Sequence, residues 1–435
     1  MKSKYSLSLL TDTCVPSRQG SRYLQDSVVN CTRCNSCAQS CPAYLHNPQE
    51  PFSPRGRAQL IRLLSEHKLR IDVSSSLLEE ITRSCTWCAR CTAACAGSIP
   101  VPHYMLALSK VMSLHRLPFT LRVLLRLYSL YPRLFDKLIS AMLCLRRIGL
   151  LYILRPILPA WLRHADSILP RKIRPLSKLL KQQNYVYPDQ PKGIYLPTLY
   201  ASYAQPQTGL SLLQLLPAGK TAVLLHCSSG LTEYLYGKEV YAQQAAKHLL
   251  LLWEKLSARH TLPLFTDSIE VYAFLRNYPL LFTKWPGWQK RAQKMAQHVK
   301  FITDISLPKL NTVSDRPTAL DTSSILYPAG EVAERARKIL LTKCKKNLLE
   351  CEYSDISLPA GGIGFMQGVP TEANLRQYVQ DIARRQIADV YCLSGWAALE
   401  LRAACERLYP QASVEHFVQV TEYGRAEKGK HATVR

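Results

Sequence analysis

Apolar residues recur at helical spacing through much of the first half of the chain. Residues 56–67 place their apolar side chains on one helical face. Ser74, Ser75 or Ser76 can cap a second helix at residues 77–83, and Glu79 is placed to close a capping box from Ser76. A longer helical pattern at residues 117–181 is interrupted by prolines and is rich in arginine. We therefore predict a helical N-terminal half.

From about residue 219 the pattern changes to short apolar runs that alternate with helical stretches. The order of strands and helices then restarts after about 100 residues, which predicts two similar α/β halves. The predicted strands are at residues 221–226, 260–265, 299–305, 323–327 and 388–393, and the predicted helices at 233–256, 331–344 and 396–408. Residues 182–218, rich in proline, tyrosine and glutamine, are predicted to be a linker.

Eight of the fifteen cysteines stand in two copies of one spacing, C-x2-C-x2-C-x3-C. The two runs are Cys31, Cys34, Cys37 and Cys41, followed by Pro42, and Cys85, Cys88, Cys91 and Cys95. This spacing is typical of cysteines that hold a 4Fe–4S cubane. Ala96 stands where the second run would normally carry proline, but that proline supplies no ligand, so we still expect the second cluster to form.

In two-cluster ferredoxins the fourth cysteine of each run binds the other cluster. This rule predicts one cluster on Cys31, Cys34, Cys37 and Cys95, and the other on Cys85, Cys88, Cys91 and Cys41. The clusters should then lie close enough to exchange electrons. Zinc and disulfides are the alternatives, but structural zinc usually takes two ligands from each of two short knuckles, unlike four cysteines within eleven residues.

Three further side chains lie inside the cysteine runs, namely Arg33, Trp87 and Arg90. A positive side chain near a cluster should favour its reduced, more negative state, and hydrogen bonds to sulfur act in the same direction. The alternative is that these side chains point to solvent. They are candidates for groups that surround the clusters without binding iron.

The composition limits the class of protein and its partners. With 435 residues, 47% of them hydrophobic, the chain can form two or three domains, and its formal net charge is +25. This positive charge could bind an acidic subunit or an anionic membrane face. Residues 117–181 either pack on neighbouring parts of the chain or dock on such a surface. Nucleic acid is not expected, because the basic residues do not alternate with aromatic ones.

The sequence also carries expectations about location. Residues 1–10 make a poor secretion signal, and no run of about 18 uncharged apolar residues occurs that could cross a membrane. Iron–sulfur runs without an export signal favour a reducing compartment. We therefore expect a cytoplasmic protein, with peripheral association at the inner face of the cytoplasmic membrane as a further option for the basic helices.

The order of the motifs resembles a known family. The first run is followed by Ser53-Pro54-Arg55-Gly56-Arg57, then by the second run, the basic helices and two α/β halves. In this order the chain resembles the iron–sulfur subunit of glycolate oxidase (glycolate dehydrogenase) and its wider family, which includes the lactate-utilisation iron–sulfur protein, the anaerobic glycerol-3-phosphate dehydrogenase small subunit and heterodisulfide reductase subunits.

The resemblance implies an α plus α/β fold in three parts. These are a helical ferredoxin domain with two 4Fe–4S clusters at residues 1–115, a basic helical connector and linker at 116–218, and a two-lobed domain of duplicated Rossmann-like halves at 219–435. Members of the family usually carry Cys-Cys-Gly repeats in the last domain. Here only Cys227 and Cys392 remain, and Pro359-Ala360-Gly361-Gly362 stands in place of one repeat. We expect this domain to hold no metal.

The function implied is electron transfer. A separate FAD-containing subunit would oxidise a 2-hydroxy acid such as glycolate, and its electrons would pass through both clusters to a quinone or another acceptor. The chain shows no flavin or nicotinamide fingerprint, so no catalytic residue is predicted on it. One alternative is an iron–sulfur subunit of a complex that oxidises lactate or glycerol 3-phosphate, or that contains another flavoprotein. The other is a regulatory or structural iron–sulfur protein.

Overall fold

The structure is a computed structural model. It describes residues 30–421, apart from gaps at 67, 70–74, 117–118, 151–152, 154–155, 157, 159, 171–172, 258–260, 306–314, 327–328, 344–346 and 355–370. Among these residues, helices make up the N-terminal part and two parallel sheets with flanking helices make up the rest. The expected α plus α/β fold class is therefore confirmed.

Short helices surround the two cysteine runs. The first run ends at helix α1, and the second lies between two further helices that pack together. These helices are α1 at Pro42–His46, α2 at Pro54–Ser65, α3 at Ser76–Arg83, α4 at Arg90–Ala93 and α5 at Val101–Arg116, with a 3-10 turn at Glu50–Phe52. The helices predicted at 56–67 and 77–83 are α2 and α3, and Ser75, one of the three candidate serines, caps α3.

The connector is helical, as predicted. Its helices are α6 at Phe119–Leu130, α7 at Pro132–Arg147, α8 at Ala160–Ile168 and α9 at Leu176–Gln182. Helix α6 lies on α7 and also contacts helices of the first α/β half. Pro132 begins α7, since a proline at the first helical position gives up only an N–H that the helix leaves unpaired.

The first α/β half begins earlier than its pattern predicts. Its four strands are parallel, in the order β2-β1-β3-β4, and β1 is a fully buried inner strand. The strands are β1 at Gly193–Leu196, β2 at Thr221–Val223, β3 at Leu264–Thr266 and β4 at Val299–Lys300. The linker prediction for residues 182–218 is therefore wrong for β1 and for helix α10 at Pro206–Leu215. A four-residue strand between prolines carries too little periodicity to be recognised.

Helices connect the strands of this half. They are α11 at Leu231–Leu235, α12 at Glu239–Leu256, α13 at Ile269–Arg276 and α14 at Pro286–His298. The single helix predicted at 233–256 is two helices, because the backbone at Gly237 has a φ of 70°. A 3-10 turn at Ile302–Asp304 replaces the end of the strand predicted at 299–305.

The second half repeats this topology with strand order β6-β5-β7-β8, all parallel. The strands are β5 at Thr318–Asp321, β6 at Leu348–Leu349, β7 at Asp389–Cys392 and β8 at Ser413–His416, and the helices are α15 at Gly330–Lys343, α16 at Thr371–Arg384 and α17 at Gly395–Leu408. The strand predicted at 323–327 is wrong in position. The strand ends at Asp321, and Ile325 and Leu326 lie in the loop that follows.

The duplication extends to the helix that follows the third strand of each half. Ser268 caps α13 after β3, and Ser394 caps α17 after β7. In each case the serine hydroxyl accepts the N–H of the residue three positions later, at 3.3 Å. The two halves therefore share strand order and local capping.

The cysteine-bearing domain and the first half share one apolar core. Phe52, Trp87 and Leu108 belong to the same buried cluster as Ile194 and Trp253. Residues of the second half also reach this cluster, through the loop after β5. The cysteine runs are thus fixed to the α/β body instead of being tethered by a loose connector.

Candidate functional site

The two cysteine runs have matching backbones. Arg33 and Asn35 in the first run have φ values of 60° and 70°, and Trp87 and Ala89, at the same places in the second run, have values of 56° and 58°. This left-handed conformation is uncommon for residues other than glycine. In each loop, residues in this left-handed conformation alternate with residues of negative φ. The backbone therefore curls, and cysteines three positions apart turn towards one point.

Four thiols gather around the first run. Burial, together with the neighbouring Cys95, Cys31 and Cys34 thiols, raises the pKa of Cys37 to about 11. Three of these residues come from the first run, and Cys95 comes from the second. We call Cys31, Cys34, Cys37 and Cys95 the outer thiol group, because Cys34 is exposed and the others are partly exposed.

A cavity of about 120 Å³ lies against the outer thiol group. All four of its cysteines line this cavity, together with Cys91 and the residues between the cysteines of the first run from Cys31 to Cys37. The volume is several times the space that one water molecule needs. A space of this kind, bordered by soft thiol ligands, fits an inorganic iron–sulfur group better than a single small ion.

The other four thiols gather more deeply. Burial raises the pKa of Cys85 to about 11, and the nearby Cys41 and Cys88 thiols add to this effect. Burial raises the pKa of Cys91 as well, with contributions from Cys88, Cys85 and Cys41, and a smaller one from Cys37 of the outer group. We call Cys41, Cys85, Cys88 and Cys91 the inner thiol group. Each group thus contains three cysteines of one run and the fourth cysteine of the other.

Backbone N–H groups point at the thiols. The backbone of Trp87 bonds the Cys85 thiol, and the backbone of Arg90 bonds the Cys88 thiol, which in both cases lowers the pKa. In the first run Ser36 takes the place of Arg90 and bonds Cys34 through its backbone and its hydroxyl, at 3.3 Å from Oγ to Sγ. Such donors stabilise sulfur that carries negative charge.

Arg57 is the functional residue that sequence reasoning missed. Its side chain is only 2% exposed, its Nη1 lies 3.6 Å from Cys41 Sγ, and its Nη2 lies 2.6 Å from Ser84 Oγ. Its charge also lowers the pKa of Cys85. Sequence reasoning used this arginine only as part of a motif. The sequence carries no signal that separates it from Arg55, because the burial of Arg57 depends on packing against Cys41 and Ser84.

The charge of Arg57 has no carboxylate partner among the residues that the structure describes, and its Nε atom is buried without a hydrogen-bond acceptor. By contrast, Arg55 is partly exposed and binds Glu50 with both nitrogens, at 2.7 and 2.8 Å. A buried cation that lacks an anion is costly. Thiolates bound to iron would supply that anion, so the inner thiol group fits a cluster in charge as well as in ligand type.

The segment before Arg57 explains how this arginine is aimed. Ser53 caps helix α2 by accepting the N–H of Gly56 at 2.8 Å, and Pro54 occupies the first helical position. At Gly56 a Cβ atom would lie 1.9 Å from the carbonyl oxygen of Glu50. Glycine is therefore required where the helix crosses the 3-10 turn, and this close crossing fixes the start of α2.

The three side chains predicted around the clusters have different environments. Arg33 is exposed and donates to Gln59 Oε1 at 3.2 Å. Trp87 is buried, its carbonyl accepts the N–H of Leu326 at 2.8 Å, and its indole N–H has no partner in the part of the chain that the structure describes. The structure thus brings Trp87, but not Arg33, to the junction with the second α/β half.

Arg90 also faces this junction. Its guanidinium lies near enough to Tyr353 to contribute to the pKa of that phenol, which burial raises. Its backbone, as described above, contacts the Cys88 thiol. Arg90 therefore has a contact with the inner thiol group through its main chain, whereas its side chain reaches towards residues of the second half.

The remaining described cysteines are free thiols at separate places. Cys144 is exposed, whereas Cys227, Cys351, Cys392 and Cys405 are buried. Burial raises the pKa of Cys227 to about 12, which makes it a poor nucleophile, and His248 Nδ1 lies 4.0 Å from its sulfur. Cys14, Cys344 and the segment Pro359–Gly362 lie outside the described residues.

The described residues offer no site for a single metal ion and no membrane-spanning helix. No group of three or more His, Cys, Asp or Glu side chains in the described ranges converges closely enough for a single metal ion. The ligands of a cubane surround a larger group and stand further apart, so this result concerns mononuclear sites. Of the helices that the structure describes, none is long and apolar enough to span a bilayer.

Comparison with known proteins points to the same chemistry. The family model for a 4Fe–4S dicluster domain matches residues 27–99. A probable glycolate oxidase iron–sulfur subunit from Bacillus subtilis (strain 168) is 25% identical over 310 residues, which cover 65% of this chain and 66% of that protein. The resemblance inferred from the motifs is thereby confirmed. No solved structure matches the chain.

Proposed function

We propose that this chain, with its 4Fe–4S dicluster domain and its glycolate oxidase-like relative, is the iron–sulfur electron-transfer subunit of a flavin-dependent 2-hydroxy-acid dehydrogenase complex. The observation that carries the proposal is the arrangement of eight thiols in two groups, each drawn from both cysteine runs. Two adjacent redox centres on one small domain form a path for single electrons. No such arrangement is needed for a structural ion.

The outer thiol group would hold one 4Fe–4S cluster and the inner group the other. The cavity beside the outer group and the buried charge of Arg57 beside the inner group support this assignment. The clusters supply reversible one-electron chemistry when bound. The residues of the chain position them, exclude water from the inner one and donate N–H groups to their sulfurs.

The two groups lie close together, since the Cys37 thiol of the outer group contributes to the pKa of Cys91 in the inner group. We propose that electrons enter from an FAD-containing subunit, cross from one cluster to the other and leave to a quinone or another acceptor. Substrate oxidation belongs to the flavin subunit. Glycolate is the substrate favoured by the similarity to the Bacillus subtilis protein.

We assign a scaffold or docking role to the two α/β halves. Their described cysteines are buried one by one, and Trp87 and Arg90 meet the second half at the cluster domain. The halves would hold the second cysteine run in place and offer surface to partner subunits. We also propose a cytoplasmic location, with peripheral contact at the inner membrane face.

Iron analysis under anaerobic conditions tests the proposal directly. We expect about eight iron and eight sulfide per chain, and a paramagnetic signal after reduction with dithionite. A Cys405→Ser variant is the control, because this buried thiol lies away from both groups. A colourless sample would contradict the proposal, and about twelve iron per chain would contradict the metal-free α/β halves.

Purification of the tagged chain from native membranes tests the complex. We expect a flavin subunit to co-purify, and glycolate to reduce the clusters of the isolated complex. Reduction of the clusters by lactate or glycerol 3-phosphate instead would show that the chain serves a related dehydrogenase with that substrate. Clusters that cannot be reduced and reoxidised without unfolding would favour a structural or regulatory protein.

A further inference from the structure

Helix α7 has an exposed aliphatic face. Leu134 and Leu138 are 46% and 45% exposed, and Leu145 and Ile148 are 38% and 69% exposed. With 100° between successive helical residues, these four and the exposed Ala141 fall within an arc of about 80°. We call these five residues the α7 apolar face. Large apolar side chains that stand together on a surface mark a site of interaction.

The opposite side of α7 is fixed to the body of the protein. Phe135 is buried and packs edge-on against Tyr203, whose hydroxyl donates to Asp136 at 2.8 Å. Near the end of the helix Arg146 pairs with Asp166 and also donates to the carbonyl of Leu169 at 2.7 Å. These contacts hold the helix in one orientation, so the apolar face is directed away from the core.

Basic side chains border this face on one side. Lys137 and Arg133 are exposed and follow the apolar arc around the helix. The only carboxylate of helices α6 and α7 is Asp136, which Tyr203 binds. Further exposed apolar residues, Phe119 and Ile153, stand before and after α7. Aliphatic residues on one face and basic residues beside them are the pattern of a helix that lies in a membrane interface.

We propose that the α7 apolar face enters the interface of an anionic lipid bilayer, with Arg133 and Lys137 at the level of the lipid phosphates. The net charge of +25 favours an anionic surface over a neutral one. This inference deepens the proposed membrane contact by naming its surface and its lipid class. The inference rests on the proposed function only for the biological purpose of membrane binding, because the binding of lipid by α7 does not need the clusters.

Sedimentation of the full chain with lipid vesicles tests the inference. We expect binding to vesicles of phosphatidylcholine mixed with phosphatidylglycerol, and much weaker binding to phosphatidylcholine alone. The double variant Leu134→Glu/Leu138→Glu should lose more than about tenfold in partitioning. The matched control is Leu341→Glu/Leu408→Glu, which changes two leucines of similar exposure, 49% and 51%, on other helices and should bind as the parent does.

A second pair of variants tests the charges. Arg133→Gln/Lys137→Gln should lower the binding by roughly tenfold or more and reduce its dependence on salt, whereas Lys178→Gln/Lys181→Gln on helix α9 should leave it unchanged. Iron content, measured on every sample, separates this inference from the proposed function. A chain with the expected iron content that does not bind vesicles would overturn this inference but not the proposed function. A chain without iron that still binds vesicles would support this inference and contradict the proposed function.

Light scattering without lipid measures whether the α7 apolar face binds a second copy of the chain instead of a membrane. A chain that remains monomeric, with and without the leucine substitutions, supports the membrane assignment. A dimer that Leu134→Glu/Leu138→Glu separates would overturn it in favour of a contact between copies. Loss of the flavin subunit from the purified complex on the same substitution, with vesicle binding unaffected, would overturn it in favour of a protein partner.

Discussion

The Nη1 atom of Arg57 lies 3.6 Å from the sulfur of Cys41, in a site from which water is almost fully excluded. This contact joins the helix between the two cysteine runs to the one cysteine that the first run gives to the inner thiol group. A positive charge at this place stabilises the negative charge that a cluster gains during reduction. The contact therefore predicts a specific effect on the reduction potential.

Replacing Arg57 with glutamine should make the potential of the inner cluster more negative, on the order of 100 mV, because a unit charge a few ångström away contributes about 3 kcal/mol at an effective dielectric constant of about 20. Arg57→Lys should retain most of the wild-type value. The measurement is a redox titration followed by electron paramagnetic resonance. It reports on the cluster whether or not a substrate is turned over.

Arg55→Gln is the matched control for this experiment. Arg55 is two residues away on the same helix, but it is partly exposed, binds Glu50 and lines the cavity beside the outer thiol group, so its removal should leave the potential of the inner cluster unchanged. Equal shifts for Arg55→Gln and Arg57→Gln would show that the effect is not a local charge interaction. Iron content of each variant distinguishes a shifted potential from a lost cluster.

Crossed ligation predicts which cysteine substitutions resemble one another. Cys95→Ser should disturb the same paramagnetic signal as Cys34→Ser, although Cys95 lies in the other run, because both belong to the outer thiol group. Cys41→Ser should in the same way resemble Cys88→Ser. Cys144→Ser, at an exposed thiol outside both groups, should change neither signal. If Cys41→Ser resembled Cys34→Ser instead, ligation within each run would be the correct description.

Gly56→Ala should destabilise the protein by about 2–4 kcal/mol, since the added methyl group would lie 1.9 Å from the carbonyl oxygen of Glu50. Gly287 provides the control. It also lies in the first turn of a helix, α14, but has no atom within 4 Å of its would-be Cβ. Gly287→Ala should be neutral or stabilising by up to about 1 kcal/mol. Urea unfolding of both variants gives the comparison, and equal effects would refute the steric argument.

His416 predicts a loss of stability in mild acid. The ring is fully buried, its Nδ1 accepts the N–H of Val418 at 3.2 Å, and burial, with a smaller contribution from Arg402, lowers its pKa to about 4. The unfolded chain binds a proton near pH 6.5, whereas the folded chain does not until about pH 4. The stability due to neutral His416 is therefore fully present above pH 6.5 and is lost as the pH falls towards 4, to a total of about 3 kcal/mol.

The test compares His416→Asn with the parent in urea at several pH values between neutral and mildly acidic. The variant should start less stable, because of its altered packing, but lose less stability than the parent as the pH falls. His46→Asn, at an exposed histidine of helix α1, should keep the pH dependence of the parent. Parallel curves for the parent and His416→Asn would contradict the assignment.

The cysteine groups could be predicted from the sequence because ligand spacing is a local property of the chain. The role of Arg57 could not, since its burial depends on how α2 packs against Cys41 and Ser84, which are distant in sequence. Arg33 and Arg90 both lie inside the cysteine runs, yet Arg33 is exposed and Arg90 lies at a domain junction. Periodicity within one segment does not contain this information.

The errors in the strand predictions have a similar origin. β1 is four residues long and was assigned to a linker, because its burial comes from strands that flank it in the sheet and not from its own pattern. The apolar run at 323–327 looked like a strand, but Leu326 leaves the sheet and bonds the carbonyl of Trp87. Apolar residues that dock on another domain cannot be told from those of a strand by composition alone.

The mixture of runs within each thiol group has a consequence for how the protein is made. The inner group needs three residues of the second run and the outer group needs Cys95, so the inner group is incomplete until the ribosome has passed residue 91, and the outer group until it has passed residue 95. Iron delivered to the nascent first run alone would find only three of the four thiols of the outer group, because Cys95 would be missing. The two centres should therefore mature together, after synthesis of the whole domain, and a shortage of iron should yield empty chains alongside full ones and few that are half loaded.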